Sequence, residues 1–272
     1  MLCLLGHEVT PGKRRPPVAG GGNLVSVGVL RVTGMAPDQG VEVAKALSVI
    51  SSRNKFIGTL NSNLDLFEQI LPYATYSYHA NKSAIHPSQA TRVVGLCFMS
   101  NIGAWEEFLG RIFIRYMAGA RTPSYSPVLK IGACHSMDHA IDVLAGKSDY
   151  DITKGYLTWT KFADVISKAT IFFDRGEPFT KIPPVYKDRI ADAIVIRNRV
   201  AHSSEKCVKD FAKVAKSFLG LAPSASLPQG TSVGKLLKGT DVRHFQTFNN
   251  SASYYQAYDM MFRHLAYMLV PD

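Results

Sequence analysis

The chain has 272 residues, 46% of them apolar and 10% aromatic, which is enough apolar material for one large hydrophobic core. Lysine and arginine number 31 against 21 acidic residues, and the formal net charge of +10 favours polyanionic partners. No stretch approaches the ~18 consecutive apolar residues of a membrane span, and the first residues lack the charged start and long apolar run of a secretory signal. The four cysteines are scattered, which argues against a disulfide framework. We therefore expect a soluble, cytoplasmic protein that contacts no membrane.

Residues 1–40 are rich in glycine, proline and basic residues and have almost no helical periodicity. They contain Lys13-Arg14-Arg15, Pro16-Pro17 and Gly20-Gly21-Gly22. This composition predicts a flexible basic arm, or sequence that precedes a later start such as Met35. A short apolar run from Leu24 to Val32 has the pattern of a lone strand.

From residue 41 to residue 272 the apolar spacing is helical, which predicts an all-α bundle with insertions. Pro72 is expected to close the second helical run, Ser88 to cap the longest helix, and Pro183-Pro184 to occupy the first turn of another. The Pro/Gly/Ser-rich residues 220–250 are predicted to form a loop. The predicted helical runs are Val41–Arg53, Leu60–Leu71, Gln89–Met117, Ser136–Leu144, Thr158–Phe173, Pro183–His202, Glu205–Leu219 and Ser253–Leu269.

The predicted helix that ends at His202 carries a cation inside an apolar surface. On a wheel of ~100° per residue, apolar side chains fill all but one narrow sector, and Arg197 falls within their arc. These apolar residues are Ile190, Ala191, Ala193, Ile194, Val195, Ile196, Val200 and Ala201. Because an unpaired buried guanidinium is costly, Arg197 must pair with a carboxylate, such as Glu106 or Glu107 of the longest helix, or face a cleft or a second subunit. In a cleft, its planar fork would be free to bind a phosphate.

Two further polar residues interrupt the same surface. Asn198 directly follows Arg197, and His202 ends the helix. An imidazole titrates near neutral pH, so His202 suits acid–base chemistry. The structural alternative is a helix-ending histidine that hydrogen-bonds the last carbonyl groups.

The run Ile196-Arg197-Asn198-Arg199-Val200-Ala201-His202 resembles the R-x4–6-H signature of the HEPN superfamily, here with four residues between the arginine and the histidine. Upstream, Trp105-Glu106-Glu107-Phe108-Leu109 is similar to the Glu-Phe-Leu stretch in the first core helix of RiboL-PSP-HEPN proteins. The final helix, with Phe262-Arg263-His264-Leu265-Ala266-Tyr267, is compatible with the same group. The resemblance spans about residues 88–269 and implies a HEPN-like helical domain within residues 41–272.

The resemblance implies a metal-independent endoribonuclease without a cofactor, often a toxin or a phage-defence effector. The active cleft would form where two protomers of a homodimer juxtapose their motifs, and an antitoxin or an activating partner is a further expectation. His202 would act as general acid or base, Arg197 would stabilise the phosphorane-like transition state, and Asn198 would orient the imidazole or the phosphate. RNA cleavage by attack of the 2′-hydroxyl would then leave a 2′,3′-cyclic phosphate and a 5′-hydroxyl.

A basic stripe follows the motif, because Lys206, Lys209, Lys213 and Lys216 recur at helical spacing. Such a stripe is usually a solvated surface, but beside a nuclease motif it would contact an RNA backbone, and we predict this role for Lys206, Lys209 and Lys213. The alternative function is a non-catalytic helical module that binds RNA, a nucleotide or a partner protein, with its arginine paired to one of the two glutamates.

Two other motifs in the sequence have the spacing of known functional sites. His135 and His139 lie four residues apart on a predicted helix, a spacing that suits one metal ion, but the motif lacks the glutamate of HExxH. We predict a solvated surface there and no metal site, and keep a metal-dependent hydrolase as the weaker alternative. Gly146-Lys147-Ser148 superficially resembles the end of a phosphate-binding loop, but helical residues precede it, so we predict a helix C-cap.

Overall fold

The computed structural model describes residues 48–75, 85–151, 157–240 and 252–272. The predicted arm, residues 1–40, and its candidate strand lie outside these residues. Within the described ranges the chain is all-α, which confirms the predicted fold class. The helices are α1 (Val49–Thr75), α2 (Pro87–Met117), α3 (Met137–Ala145), α4 (Phe162–Phe172), α5 (Pro184–Ala201), α6 (Glu205–Phe218), α7 (Val233–Leu237) and α8 (Tyr254–Leu269), with 3₁₀ turns at Asp174–Gly176 and Phe179–Lys181.

The helix ends agree with the sequence prediction where a local signal sets them. Ser136, Ser204 and Ser253 cap α3, α6 and α8 through their side chains, and Gln256 completes a capping box with Ser253. Gly146 ends α3 in the left-handed conformation (φ 64°), as predicted for a C-cap.

Three predictions of helix boundaries are wrong. The sequence predicts a break at residues 54–59, between the first two helical runs. The structure instead has one helix, α1, which spans this break and continues past Pro72 to Thr75. A proline in the last turn removes one hydrogen bond there and leaves the earlier turns intact, while buried Phe56 and Leu60 hold the middle of the helix on the core. The cap of α2 is His86, whose Nδ1 accepts the backbone N–H of Ser88 at 3.2 Å; the helix therefore begins before Ser88, at Pro87.

The core is built around α2, which contacts α1, α3, α5, α7 and α8. The Trp105 ring is buried at its centre, 5.8 Å from the Phe56 ring of α1 and 5.2 Å from the Phe262 ring of α8. Phe108 stacks on Phe56 at 5.1 Å. These aromatic contacts bury α1 and α8 against α2 and fix the orientation of the bundle.

Helix α8 is a packing helix, as its aromatic residues predict. The hydroxyl of Tyr254 donates to the Phe218 carbonyl, and that of Tyr258 donates to the Arg189 carbonyl. The Tyr255 hydroxyl accepts a hydrogen bond from Asn101 of α2. Each phenol therefore buries its ring and satisfies its polar end at the same time.

The region predicted as one long loop contains a helix, so this prediction is wrong in part. Helix α7 begins after Ser232, whose hydroxyl accepts the Lys235 backbone N–H, and buries Val233, Leu236 and Leu237. Five residues are too short for a periodic signal, and burial against α2 stabilises the helix. Residues 241–251 lie outside the described part.

Helix α5 is less buried than its apolar wheel predicts. Only Ile190, Ala193 and Ile196 are buried, and Ala191 and Ala201 are exposed. The prediction of a nearly all-round buried surface is therefore wrong. Helices α2 and α6 cover only part of α5. Ala191 and Ala201 can stay exposed, because a short apolar side chain tolerates solvent at little cost.

Candidate active site

The HEPN-like motif lies at the C-terminal end of α5. Pro184 occupies the first turn, and the three buried residues anchor the helix on α2. The His202 backbone is extended, and its N–H donates to the Asn198 carbonyl at 2.9 Å, so His202 is the C-cap. The Arg199 guanidinium donates to the His202 carbonyl at 3.1 Å. The backbone of His202 is thus held in place while the residue itself is exposed.

Arg197 lies beside Glu106 of α2. Its Nη2 is 3.9 Å from the Glu106 Oε2, and its Nη1 donates to the Asn198 side-chain oxygen at 3.1 Å. The Arg197 side chain is 28% exposed and the Glu106 side chain 12% exposed. A separation of 3.9 Å is an ion pair without a close hydrogen bond, so the charge of Arg197 is compensated but its donors are not saturated.

Two polar atoms of this pair have no hydrogen-bond partner among the described residues. The Arg197 Nε and the Glu106 Oε1 are both buried. Burial raises the pKa of Glu106, and the attraction of Arg197 offsets this only in part. The pair is therefore an imperfect salt bridge, because each partner has a buried polar atom that no described residue satisfies.

Glu107, the other predicted partner, does not lie on Arg197. It contacts Lys55 at 3.0 Å and Arg111 at 2.6 Å on the exposed face of α2. The two carboxylates are adjacent in sequence, but successive residues of a helix point in directions ~100° apart, so only one of them faces α5.

The predicted RNA-contacting lysines of α6 are exposed and paired within their own helix. Lys206 is 2.5 Å and Lys213 3.9 Å from Asp210, and Lys209 is 2.6 Å from Glu205. Pairing with Asp210 raises the pKa of Lys206 and lowers that of the carboxyl. The local carboxylates therefore offset much of the positive field of this stripe.

Three cations that the sequence analysis did not single out as site residues face one cleft close to the motif. Arg92 of α2, Arg199 of α5 and Lys235 of α7 line a cavity of about 730 Å³. They come from three separate segments, and neither spacing nor composition links them in the sequence. The packing of both α5 and α7 on α2 brings them together.

The histidines of the competing metal motif contact each other. The His135 backbone N–H donates to the His139 Nδ1 at 3.3 Å, and the two rings stack with their centroids 4.7 Å apart. Across residues 48–75, 85–151, 157–240 and 252–272, no group of three or more histidine, cysteine or acidic side chains is arranged to hold a metal ion.

Comparisons of the chain with protein-family models, with curated proteins and with solved structures find no significant match. Among the described residues, none of the helices combines the length and the apolar character needed to cross a membrane.

Proposed function

We propose that the protein is a metal-independent endoribonuclease of the HEPN type, with Arg197, Asn198 and His202 in the active site. The observation that carries this proposal is the state of Arg197: its guanidinium is partly exposed, 3.9 Å from Glu106, and next to Asn198, with donors left for a phosphate. His202 presents an exposed imidazole at the end of the same helix.

In the proposed reaction, the RNA 2′-hydroxyl oxygen attacks the adjacent phosphorus and the bond from phosphorus to the 5′-oxygen breaks. His202 accepts the 2′-hydroxyl proton, and the 5′-oxygen takes a proton from an imidazolium or from water. Arg197 stabilises the charge that develops on the phosphorane oxygens. Asn198 positions Arg197 through its side-chain oxygen, and its carbonyl holds the N–H of His202.

A homodimer accounts for the uncovered part of α5. Ala191, Ile194, Asn198 and Ala201 fall within about 80° on the helical wheel, and Ala191 and Ala201 are exposed. A second protomer on this face would bring two copies of the motif together. In this proposal the enzyme is a toxin or phage-defence effector, and an antitoxin or activating partner controls it.

The test is cleavage of a mixed RNA substrate in excess EDTA, with analysis of the product ends. We expect a 2′,3′-cyclic phosphate from the wild type, and a loss of about 10²–10⁴ in rate for His202→Ala. Arg197→Ala is expected to lose about 10²–10³ if it stabilises the transition state. His135→Ala and Arg121→Ala are matched controls at exposed positions and should cleave normally. Full cleavage by a folded His202→Ala dimer, or loss of wild-type activity in EDTA, would contradict the proposal.

The second candidate function is a non-catalytic helical module that binds RNA, a nucleotide or a partner protein. The contact between Arg197 and Glu106 favours it, because a guanidinium that only neutralises a buried carboxylate has a structural role. A wild-type dimer that binds RNA but leaves it uncut in the same assay would support this function.

A further inference from the structure

The cleft lined by Arg92, Arg199 and Lys235 has the size of a ligand site. It opens between the start of α2, the end of α5, the outer part of α6 and the segment that leads into α7. Its volume of about 730 Å³ lies within the range of roughly 300–1,000 Å³ that is usual for small-molecule sites. Four segments of the chain form its walls, so the cleft is a product of the tertiary fold.

The cleft cations differ from the lysines of the α6 stripe in their pairing. Within the described residues, Arg92, Arg199 and Lys235 form no ion pair with a carboxylate, and no acidic residue lines the cleft. Arg92 and Lys235 are exposed. Three cations without a carboxylate partner in the described part of the chain, around one concave surface, produce a positive potential that the walls of the cleft concentrate.

The backbone beside Lys235 makes room for its ammonium group. Gly230 has a φ of +71°, and a Cβ added there would lie 3.0 Å from the Lys235 Nζ. A side chain at residue 230 would be strained at this φ, and its Cβ would shift the ammonium group by a few tenths of an ångström. The glycine serves both the turn and the position of the charge.

Besides the cations, the lining contains hydroxyl side chains and several apolar residues that are partly solvent-accessible. Leu96 of α2 and Val208 of α6 are each 42% exposed, and Val200 of α5 is half-buried between these helices. Large aliphatic side chains open to solvent beside these cations form a surface that is both apolar and positively charged. A matching ligand combines a negative charge with an apolar part.

We infer that this cleft binds a nucleotide, with its phosphate held by Arg92, Arg199 and Lys235 and its base packed against Leu96 and Val208. Arginine and lysine bind phosphate oxygens, and a base packs against aromatic or apolar side chains. The nucleotide is either a free mononucleotide or one unit of a single-stranded RNA. This inference concerns binding alone and stands whether or not the protein cuts RNA.

The experiment measures binding of a fluorescent 2′-O-methyl RNA pentanucleotide, which lacks the 2′-hydroxyl needed for cleavage, by the full chain. Arg92→Gln with Lys235→Gln removes two cleft charges, and Arg121→Gln with Lys147→Gln removes two exposed charges outside the cleft as the matched control. We expect at least about a tenfold loss of affinity for the cleft variant and less than about a threefold loss for the control. All four positions are exposed, and thermal melting verifies that each variant folds.

Leu96→Gln tests the contact with the base. It should weaken binding of the pentanucleotide but not binding of tripolyphosphate, which has charge and no base. Displacement by mononucleotides would identify a free nucleotide as the ligand, and binding of the pentanucleotide alone would identify a unit of RNA; either result supports the inference. No binding, equal losses in the two charge variants, or an unchanged affinity in Leu96→Gln would overturn it. Because the 2′-O-methyl RNA cannot be cleaved, this assay measures binding alone, and failure of this inference and failure of the proposed nuclease are separate results.

Discussion

Replacing Gly234 by alanine tests how α7 is held on the core. A Cβ at residue 234 would lie 1.9 Å from the Thr91 carbonyl oxygen and 2.8 Å from the Thr91 carbonyl carbon of α2. These are backbone atoms in a long helix, so no side-chain rotation relieves the overlap. The short helix must therefore move away from α2.

The structure bounds the cost of that movement. Overpacking in a core usually costs about 1–3 kcal/mol, and complete undocking of α7 would expose three buried aliphatic side chains worth about 1.5–3 kcal/mol each. Those side chains belong to Val233, Leu236 and Leu237. Because a backbone carbonyl cannot yield as a side chain does, we expect Gly234→Ala to lose about 3 kcal/mol or more of unfolding free energy.

Urea denaturation measures this loss, and Gly103→Ala is the matched control. Gly103 lies within α2 with nothing within 4 Å of an added Cβ, so alanine should stabilise the protein by about 1 kcal/mol through helix propensity. The same Gly234→Ala protein should bind the pentanucleotide weakly, since Lys235 moves with α7. A Gly234→Ala stability within about 1 kcal/mol of the wild type would refute the reasoning.

Three further predictions follow from the core and from the buried titratable groups. Trp105→Ala should lose about 3–5 kcal/mol in urea denaturation, because the indole is fully buried among aromatic rings; a loss below about 2 kcal/mol would contradict this packing. Burial raises the pKa of Glu106, so its contribution to stability is present in acid and is lost as the pH rises through that raised value. Glu106→Gln should therefore have a higher melting temperature than the wild type at about pH 7, and the two melting temperatures should be equal below about pH 4. A lower melting temperature of the variant at neutral pH would show that Arg197 needs the carboxylate. Burial also raises the pKa values of the Cys97 and Cys134 thiols. Among the three cysteines of the described residues, alkylation with peptide mapping should therefore modify half-buried Cys207 first and the other two only on unfolding.

The sequence by itself determined the helical class and most helix ends, because these depend on local interactions. Apolar spacing, prolines in first turns, serine caps and a C-terminal glycine act within a few residues of one another, so α3, α5, α6 and α8 end close to where they were expected. The same local signals placed Arg197, Asn198 and His202 at the end of one helix. Their catalytic roles remain predictions.

Tertiary structure alone decided what these residues face. Glu106 and Glu107 are equivalent in the sequence, and the rotation of α2 against α5 places only Glu106 near Arg197. The wheel of α5 showed which residues share a face, but not that its neighbours cover only part of it. Helix α7 is stable because it docks on α2, and that docking brings Arg92, Arg199 and Lys235 around one cleft. Contacts between distant segments depend on how whole helices pack, and a local pattern does not encode that packing.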